Sequence, residues 1–133
     1  MISAIDSCII LDFLGADPIH GVGSRELLRQ ALNDGALIIS DVVYAEIAPQ
    51  FDSQAELSAA LNRLDIALVD NGADVAFLAG QKWGQYRRSG GTRARLLADF
   101  MIGAHAQIHA DRFITRDRGF YRSYFGDLTI LEP

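Results

Sequence analysis

Short apolar runs alternate with amphipathic segments along the whole chain. A compact run bounded by turn residues, such as Ala-Leu-Ile-Ile at residues 36–39, is typical of a buried strand. Apolar residues that recur every three or four positions, as in residues 57–64, predict helices. The predicted strands are residues 4–7, 36–39, 66–69, 112–115 and 128–131. The predicted helices are residues 8–14, 25–33, 41 to about 49, 53–64, 73–87, 96–110 and 117–124.

Strands that alternate with helices predict an α/β fold in which crossover helices cover both faces of a parallel sheet. We therefore expect a three-layer α/β/α sandwich with a central, mostly parallel sheet. The length of 133 residues favours a single domain that spans 1–133. Ser24 is the expected N-cap of the second helix, and Gly35 is its expected stop.

Composition narrows the class of protein. Half of the residues are hydrophobic, which argues against disorder. Cys8 is the one cysteine, so no internal disulfide forms, and its apolar neighbours predict a buried, inert thiol. No run approaches the roughly 20 apolar residues of a membrane span, and Asp6 interrupts any signal-like segment. The expectation is a cytoplasmic protein that is not attached to a membrane.

The net charge of −5 argues against a nucleic-acid partner, but the distribution of basic residues qualifies that argument. Eleven of the twelve basic residues are arginines, the better bidentate partners for phosphate. They either position phosphates or form solvated faces and ion pairs, and the sequence leaves both interpretations open. Two clusters of four stand out: Arg87, Arg88, Arg93 and Arg95, and then Arg112, Arg116, Arg118 and Arg122.

Four acids stand in apolar surroundings: Asp6, Glu46, Asp99 and Asp117. An isolated carboxylate in an apolar segment is costly to desolvate, so four in one small domain suggest that they share a cation. Asp6 closes the first predicted strand and Asp117 follows the fourth. Ligands of a parallel sheet bind at the carboxyl ends of its strands, so these two acids are expected to approach each other there.

Glu46 and Asp99 lie on predicted helices that pack against the sheet. Gly103 and Ala106 lie on roughly the same helical face as Asp99, where small residues would leave room for a metal ion and its waters. Oxygen ligands alone select hard ions such as Mg²⁺ or Mn²⁺.

Other chemistries fit the sequence less well. His105 and His109 have the i, i+4 spacing of half a zinc site, but no further zinc ligand pattern accompanies them, so we interpret them as helix-surface or partly buried residues. Ser7 lacks a His–Asp partnership, which disfavours a serine hydrolase.

The remaining polar residues near the acids have supporting interpretations. Ser7 and Thr115 are expected to orient Asp6 and Asp117 or to act as plain caps. Asp12 is interpreted as a surface residue of its helix, and Asp111 as a cap or turn residue.

Four segments together resemble the PIN-domain ribonucleases, and in particular the toxins of VapBC-type toxin–antitoxin pairs. Each segment carries one of the four acids, and their order and spacing fit from the first residue to the last strand. The segments are Ile5-Asp6-Ser7, residues 41–47 (Asp-Val-Val-Tyr-Ala-Glu-Ile), residues 98–106 (Ala-Asp-Phe-Met-Ile-Gly-Ala-His-Ala) and residues 114–121 (Ile-Thr-Arg-Asp-Arg-Gly-Phe-Tyr).

The resemblance implies a Mg²⁺- or Mn²⁺-dependent endoribonuclease that hydrolyses RNA phosphodiester bonds. Asp6, Glu46, Asp99 and Asp117 would be its catalytic and metal-binding quartet, with Asp6 and Asp99 holding the principal ion. It also implies a homodimer and a small antitoxin whose C-terminal segment blocks the site. The loop 88–95 would grip the substrate. Two alternatives stay open: a non-toxin PIN nuclease of RNA processing, and a PIN domain that binds RNA or protein without cleaving.

Overall fold

A computed structural model of the chain describes residues 1–92 and 96–133. Its centre is a sheet of five strands, all parallel, in the order β3-β2-β1-β4-β5. All five predicted strands are present, which confirms the expected parallel sheet. Their bounds are β1 Ile2–Ile5, β2 Ala36–Ile39, β3 Ile66–Leu68, β4 Arg112–Ile114 and β5 Ile130–Leu131.

Helices connect the strands. They are α1 Ser7–Leu14, α2 Gly21–Asp34, α3 Asp41–Ile47, α4 Gln54–Arg63, α5 Gly72–Arg88, α6 Leu97–His109 and α7 Arg118–Tyr124, and a 3₁₀ turn, Ala48–Gln50, follows α3. Within the described residues, no helix has the length and apolar character that a membrane crossing requires.

The strand order places the helices in two layers. From β1 the chain moves to β2 and β3 on one side, and then returns to β4 and β5 on the other. Parallel crossovers are right-handed, so the helices of the first path and those of the return path cover opposite faces. The fold is therefore the expected three-layer α/β/α sandwich, and the turning point of the chain lies between β1 and β4.

The first strand lies two residues earlier than predicted. β1 ends at Ile5, and Asp6 is the N-cap of α1, where its Oδ1 accepts a hydrogen bond from the Ser7 backbone N–H at 2.8 Å. An acid with extended backbone just before a helix satisfies one of the unpaired N–H groups of its first turn. Asp6 therefore marks both the end of the strand and the start of the helix.

The predicted N-cap of α2 is wrong. Asp17 Oδ1 accepts hydrogen bonds from the backbone N–H groups of Ile19 and His20, at 2.9 and 2.7 Å, which orders the turn so that α2 begins at Gly21. Ser24 therefore lies inside the helix, fully buried. Gly35 ends α2 as predicted. The position requires glycine because a side chain there would collide with the backbone of Met1.

A cluster of aromatic rings joins α5, α6 and α7 on the sheet face that the helices after β3 cover. Phe100 lies at its centre, with ring centroids 5.2 to 5.7 Å from three of its neighbours. The rings are Tyr86, Phe100, Phe120, Tyr121, Tyr124 and Phe125.

Gly103 belongs to this cluster rather than to a metal pocket, which corrects its predicted role. A Cβ at Gly103 would lie 2.4 Å from the ring of Phe125, a fully buried side chain. The small residue therefore leaves room for an aromatic ring of the core.

We predict that Gly103→Ala destabilises the protein. Overpacking of a filled core costs about 1–3 kcal/mol, which exceeds the gain of about 1 kcal/mol from replacing glycine in a helix. Chemical denaturation should show a lower free energy of unfolding.

Gly80→Ala is the matched control. Gly80 lies inside α5, and a Cβ there meets no atom within 4 Å. We expect this variant to be more stable than the wild type by up to about 1 kcal/mol. Equal stability of the two variants would contradict the packing assigned to Gly103.

Candidate active site

Asp6 lies at the carboxyl end of β1 and is the most buried of the four predicted site acids, with 6% of its surface exposed. Its Oδ1 accepts from the Ser7 N–H, and its Oδ2 accepts from the Thr115 hydroxyl at 2.6 Å. The Cys8 thiol lies 3.7 Å from Oδ2. These donors hold the carboxylate in a fixed orientation at the end of the strand.

Thr115 links Asp6 to Asp117. It follows β4, which pairs with β1, and the Asp6 N–H donates to Ile114 O at 3.0 Å. The Thr115 Oγ1 that donates to Asp6 also accepts from the Asp117 N–H at 3.0 Å. Thr115 thus bonds the carboxylate of Asp6 and the backbone of Asp117, and one buried hydroxyl joins the two neighbouring strand ends.

Glu46 approaches the site from α3. The Ser7 hydroxyl lies close enough to its carboxylate to oppose the rise in pKa that burial causes in Glu46, and the same residue's backbone N–H donates to Asp6. Ser7 therefore contacts two of the four acids.

Asp99 lies in the first turn of α6, where its Oδ2 accepts from the Leu96 N–H at 3.2 Å. This contact helps to fix the beginning of the helix, and an acid there also faces the positive end of the helix dipole. Asp99 thus has a local structural role in addition to any role in the site.

Electrostatic interactions relate the four acids. Burial raises the pKa of Asp6, and the charge of Asp117 adds to that rise, while the hydrogen bonds from Thr115 and Ser7 oppose it. Partial burial of its carboxyl raises the pKa of Glu46, and the charges of Asp6 and Asp99 add to the rise. Carboxylates that raise one another's pKa favour a cation between them.

The premise that all four acids are buried is wrong in part. Only Asp6 is buried; Asp99 and Asp117 are half-buried, and Glu46 is exposed on the surface of α3. The desolvation cost therefore falls mainly on one carboxylate, and the other three stand around it in contact with solvent.

Within residues 1–92 and 96–133, no three side chains of Asp, Glu, His or Cys are close enough to enclose one metal ion by themselves. The donor chemistry nevertheless fits a hard divalent ion, because it consists of carboxylate oxygens. Mg²⁺ usually keeps several of its waters and takes only one or two protein carboxylates directly.

The ionisable groups of Cys8 and Tyr121 near Asp6 both have raised pKa values. Burial, together with the charge of Asp6, raises the pKa of the Cys8 thiol to about 11. Burial also raises the pKa of Tyr121, to which the charges of Asp6, Asp99 and Asp117 contribute. The interpretation of Cys8 as an unreactive thiol is supported, although it is half-buried and contacts the site acid.

Three arginines of the second cluster are occupied by ion pairs within the chain. Arg112 pairs with Asp34 at 2.9 Å, Arg116 pairs with Asp12 at 2.8 Å and Arg118 pairs with Glu132 at 3.2 Å. Ion pairing, the second interpretation, therefore describes these three. In the first cluster, Arg93 and Arg95 and the centre of the loop 88–95 lie outside the described residues.

Asp12 was wrongly interpreted as a surface residue. It is 4% exposed, because the guanidinium of Arg116 and the hydroxyl of Ser24 both donate to its carboxylate. An acid in an otherwise apolar helix was the available sequence signal, the same one that identified the four site acids. Asp111 lies at the bend before β4, and its side chain accepts from the Ile2 N–H of β1 at 2.7 Å, a long-range contact rather than a local cap.

His105 is buried in the core, and His109 is half-buried beside it. His105 is 2% exposed, and its Nε2 donates to Val69 O at 2.8 Å; burial lowers its pKa, so the neutral form is favoured. The ring of His109 lies 5.1 Å from it. His105 is thus more buried than a helix-surface residue and bonds to the backbone.

Solved structures share this fold. A chain of the VapBC2 complex from Rickettsia felis, bound to a DNA fragment from its promoter, aligns over 99% of this chain and 98% of its own, with a TM-score of 0.75 and 17% identity. A chain of DNA-bound VapBC from Salmonella typhimurium aligns over the same shares, with a TM-score of 0.72 and 21% identity. FitAcB from Neisseria gonorrhoeae aligns over 98% and 96%, with a TM-score of 0.68 and 19% identity.

At these identities the similarity establishes the fold alone. No significant match was found among curated protein sequences. The profile of the PIN domain matches residues 4–126, a span that begins before Asp6 and ends after Asp117. The chain therefore belongs to the PIN domain family.

Proposed function

We propose that this chain, as a single PIN domain over residues 1–133, is a metal-dependent endoribonuclease and the toxin of a VapBC-type toxin–antitoxin pair. The observation that carries the proposal is the buried carboxylate of Asp6, joined through Thr115 to Asp117 at the ends of β1 and β4. Membership of the PIN family supports nuclease chemistry at this edge of the sheet. The protein would act in the cytoplasm.

Asp6, Glu46, Asp99 and Asp117 would hold Mg²⁺ or Mn²⁺, in part through water. The bound ion would lower the pKa of a water molecule and stabilise the leaving oxygen of the RNA phosphodiester. Thr115 and the Ser7 N–H keep Asp6 in place for this task, and the nearby Ser7 hydroxyl opposes the rise in pKa that burial causes in Glu46, which favours its ionised carboxylate.

The partner would be a small antitoxin, as in the complexes that share the fold. An apolar groove near α2 supports this part of the proposal. Arg29 of its rim already pairs with Glu26, but Arg25 and Arg63 suit an acidic, amphipathic segment, because opposite charges steer association. The groove is lined by Phe13, Leu28, Leu32, Leu37, Leu64 and Ile66, with Arg25, Arg29 and Arg63 among them.

The two alternatives make different predictions. A PIN domain that binds without cleaving would leave RNA intact with either metal ion. A non-toxin nuclease of RNA processing would cleave RNA but would have no neighbouring gene for a small DNA-binding antitoxin.

The first prediction for this function concerns cleavage. Purified protein with Mg²⁺ or Mn²⁺ should cut RNA extracted from cells, and a chelator should stop the reaction. Asp6→Asn and Asp99→Asn should each lower the rate by on the order of 10²- to 10³-fold, the usual effect of losing one electrostatic stabiliser of a transition state. Mapping the cleaved ends would also identify the substrate.

Asp127→Asn is the matched control for both variants. Asp127 is an exposed acid in the turn that leads into β5, at the opposite edge of the sheet. Its rate should equal that of the wild type. Near-wild-type cleavage by folded Asp6→Asn protein would refute the proposed site.

The second prediction concerns stability. The pKa of Asp6 is raised on folding, so its contribution is favourable below the unfolded pKa and is lost as the pH rises through the folded one. At pH 7 without divalent ions, Asp6→Asn should therefore unfold at a higher temperature than the wild type.

Adding Mg²⁺ should reverse this order. At ten times its dissociation constant the ion adds about 1.4 kcal/mol, or on the order of 5 °C, to the wild type alone. Equal shifts in wild type and Asp6→Asn would argue against Asp6 as a ligand. Calorimetry at matched ionic strength measures both effects.

The third prediction concerns the homodimer. Phe77 projects from α5 with 70% of its surface exposed, and Leu68 of β3 is 44% exposed. Burial of such exposed apolar side chains at an interface is favourable. Sedimentation should show a dimer at micromolar concentration, and Phe77→Asp should shift it to monomer. A monomeric wild type would contradict the dimer.

A further inference from the structure

An ion pair between Arg116 and Asp12 borders the acids at the end of β4. Arg116 stands between Thr115 and Asp117 in the chain, and its guanidinium contacts Asp12 with two hydrogen bonds. Nε donates to Asp12 Oδ2 and Nη2 donates to Oδ1, both at 2.8 Å. Two parallel bonds fix the orientation as well as the distance of the pair.

Asp12 is itself firmly held. It lies on α1, the helix that Asp6 caps, and it is 4% exposed. Its Oδ2 also accepts from the buried hydroxyl of Ser24 on α2 at 2.9 Å. Because three elements contribute to this contact, the pair ties the loop after β4 to α1 and α2.

The same loop is also bonded to β5 and to Asp6. β4 ends at Ile114, and the Thr115 N–H donates to Leu131 O at 3.1 Å. Asp117 then adopts φ −95° and ψ 49°, outside the helix and strand regions, just before α7 begins. Arg116 lies between Thr115 and Asp117 in this loop, so its ion pair with Asp12 restrains the backbone that carries both residues.

We infer that Asp12 and Arg116 form a positioning pair, which places Thr115 and Asp117 correctly with respect to Asp6. Arg116 thus serves the reaction through its neighbours, without contacting the RNA. A displacement of about 1 Å at a reacting group can lower a rate by about 100-fold, so the pair is expected to matter for turnover. The inference rests on the proposed function, because positioning presupposes chemistry at these acids.

The same strand offers a matched control at its other end. Arg112 begins β4, and its Nε donates to the buried Ser3 hydroxyl at 2.8 Å while Nη2 donates to Asp34 Oδ2 at 2.9 Å. Here too an arginine, an aspartate and a buried serine are linked, at the end of the strand away from the acids, although Arg112 makes one bond to Asp34 and Asp34 is exposed. Its loss should affect stability alone.

The test replaces each pair by apolar groups of similar size: Asp12→Leu/Arg116→Met and, as the control, Asp34→Leu/Arg112→Met. Replacing both partners avoids an unpaired buried charge and usually preserves folding. If the first double variant fails to fold, Asp12→Asn/Arg116→Gln takes its place. Circular dichroism and thermal melting establish that each protein is folded.

Activity is measured on a labelled RNA that carries the cleavage site mapped for the wild type, with Mg²⁺ or Mn²⁺. The first double variant should lose about 10- to 100-fold in kcat with little change in KM. Arg116→Lys should lie between it and the wild type, because lysine keeps the charge without the two-bond geometry. The control should keep the wild-type kcat.

A second measurement does not depend on cleavage. The Asp117 amide donates to Thr115 Oγ1, so its hydrogen exchange should be about tenfold or more faster in the first double variant and unchanged in the control. Wild-type kcat together with wild-type exchange would overturn the inference. A raised KM with unchanged kcat would also overturn it, since Arg116 would then contact RNA.

The two proposals fail in different ways. If the wild type cuts no RNA with either ion, the proposed function is wrong, and the exchange of Asp117 still decides whether the pair positions the loop. If the wild type cuts RNA and the double variant cuts equally well, only the positioning role is wrong.

Discussion

The hydrogen bond between Thr115 and Asp6 is the contact on which the rest of the site depends. It joins the ends of β1 and β4, where the path of the chain reverses and where α1 and α7 leave toward opposite faces of the sheet. A buried carboxylate at this point needs donors, and the backbone of Ser7 and the hydroxyl of Thr115 supply them. The same hydroxyl of Thr115 accepts from the Asp117 N–H, and the hydroxyl of Ser7 lies near the carboxylate of Glu46.

The free-energy cost of desolvating a carboxylate is unevenly distributed over the four acids. Asp6 is buried and its pKa is raised, whereas Glu46 is exposed and Asp99 also stabilises the start of its helix. This arrangement combines one carboxylate that is held rigidly with three that remain accessible to water. It suits a hydrated divalent ion better than a fully enclosed one, because Mg²⁺ gives up its waters reluctantly.

The arginines show why composition alone misleads. Their number suggested phosphate binding, but Arg112, Arg116 and Arg118 each pair with an acid of the same chain. Arg116 is the most informative of them, since its partner Asp12 lies on the helix that begins at the site. Ion pairs at both ends of β4 hold the strand in the sheet, and one of them also borders the acids.

The sequence by itself determined the order of strands and helices and the parallel sheet, and it pointed to the four acids as a candidate site, because periodicity and local motifs act over a few residues. It also identified Thr115 and Ser7 as partners of the acids. Only the tertiary structure decided that Asp6 is the one buried member of the four acids, that Gly103 makes room for Phe125, and that Asp12 meets Arg116 across 104 positions of the chain. These features depend on which surfaces pack together, and pairing between distant residues has no local signature in a single sequence.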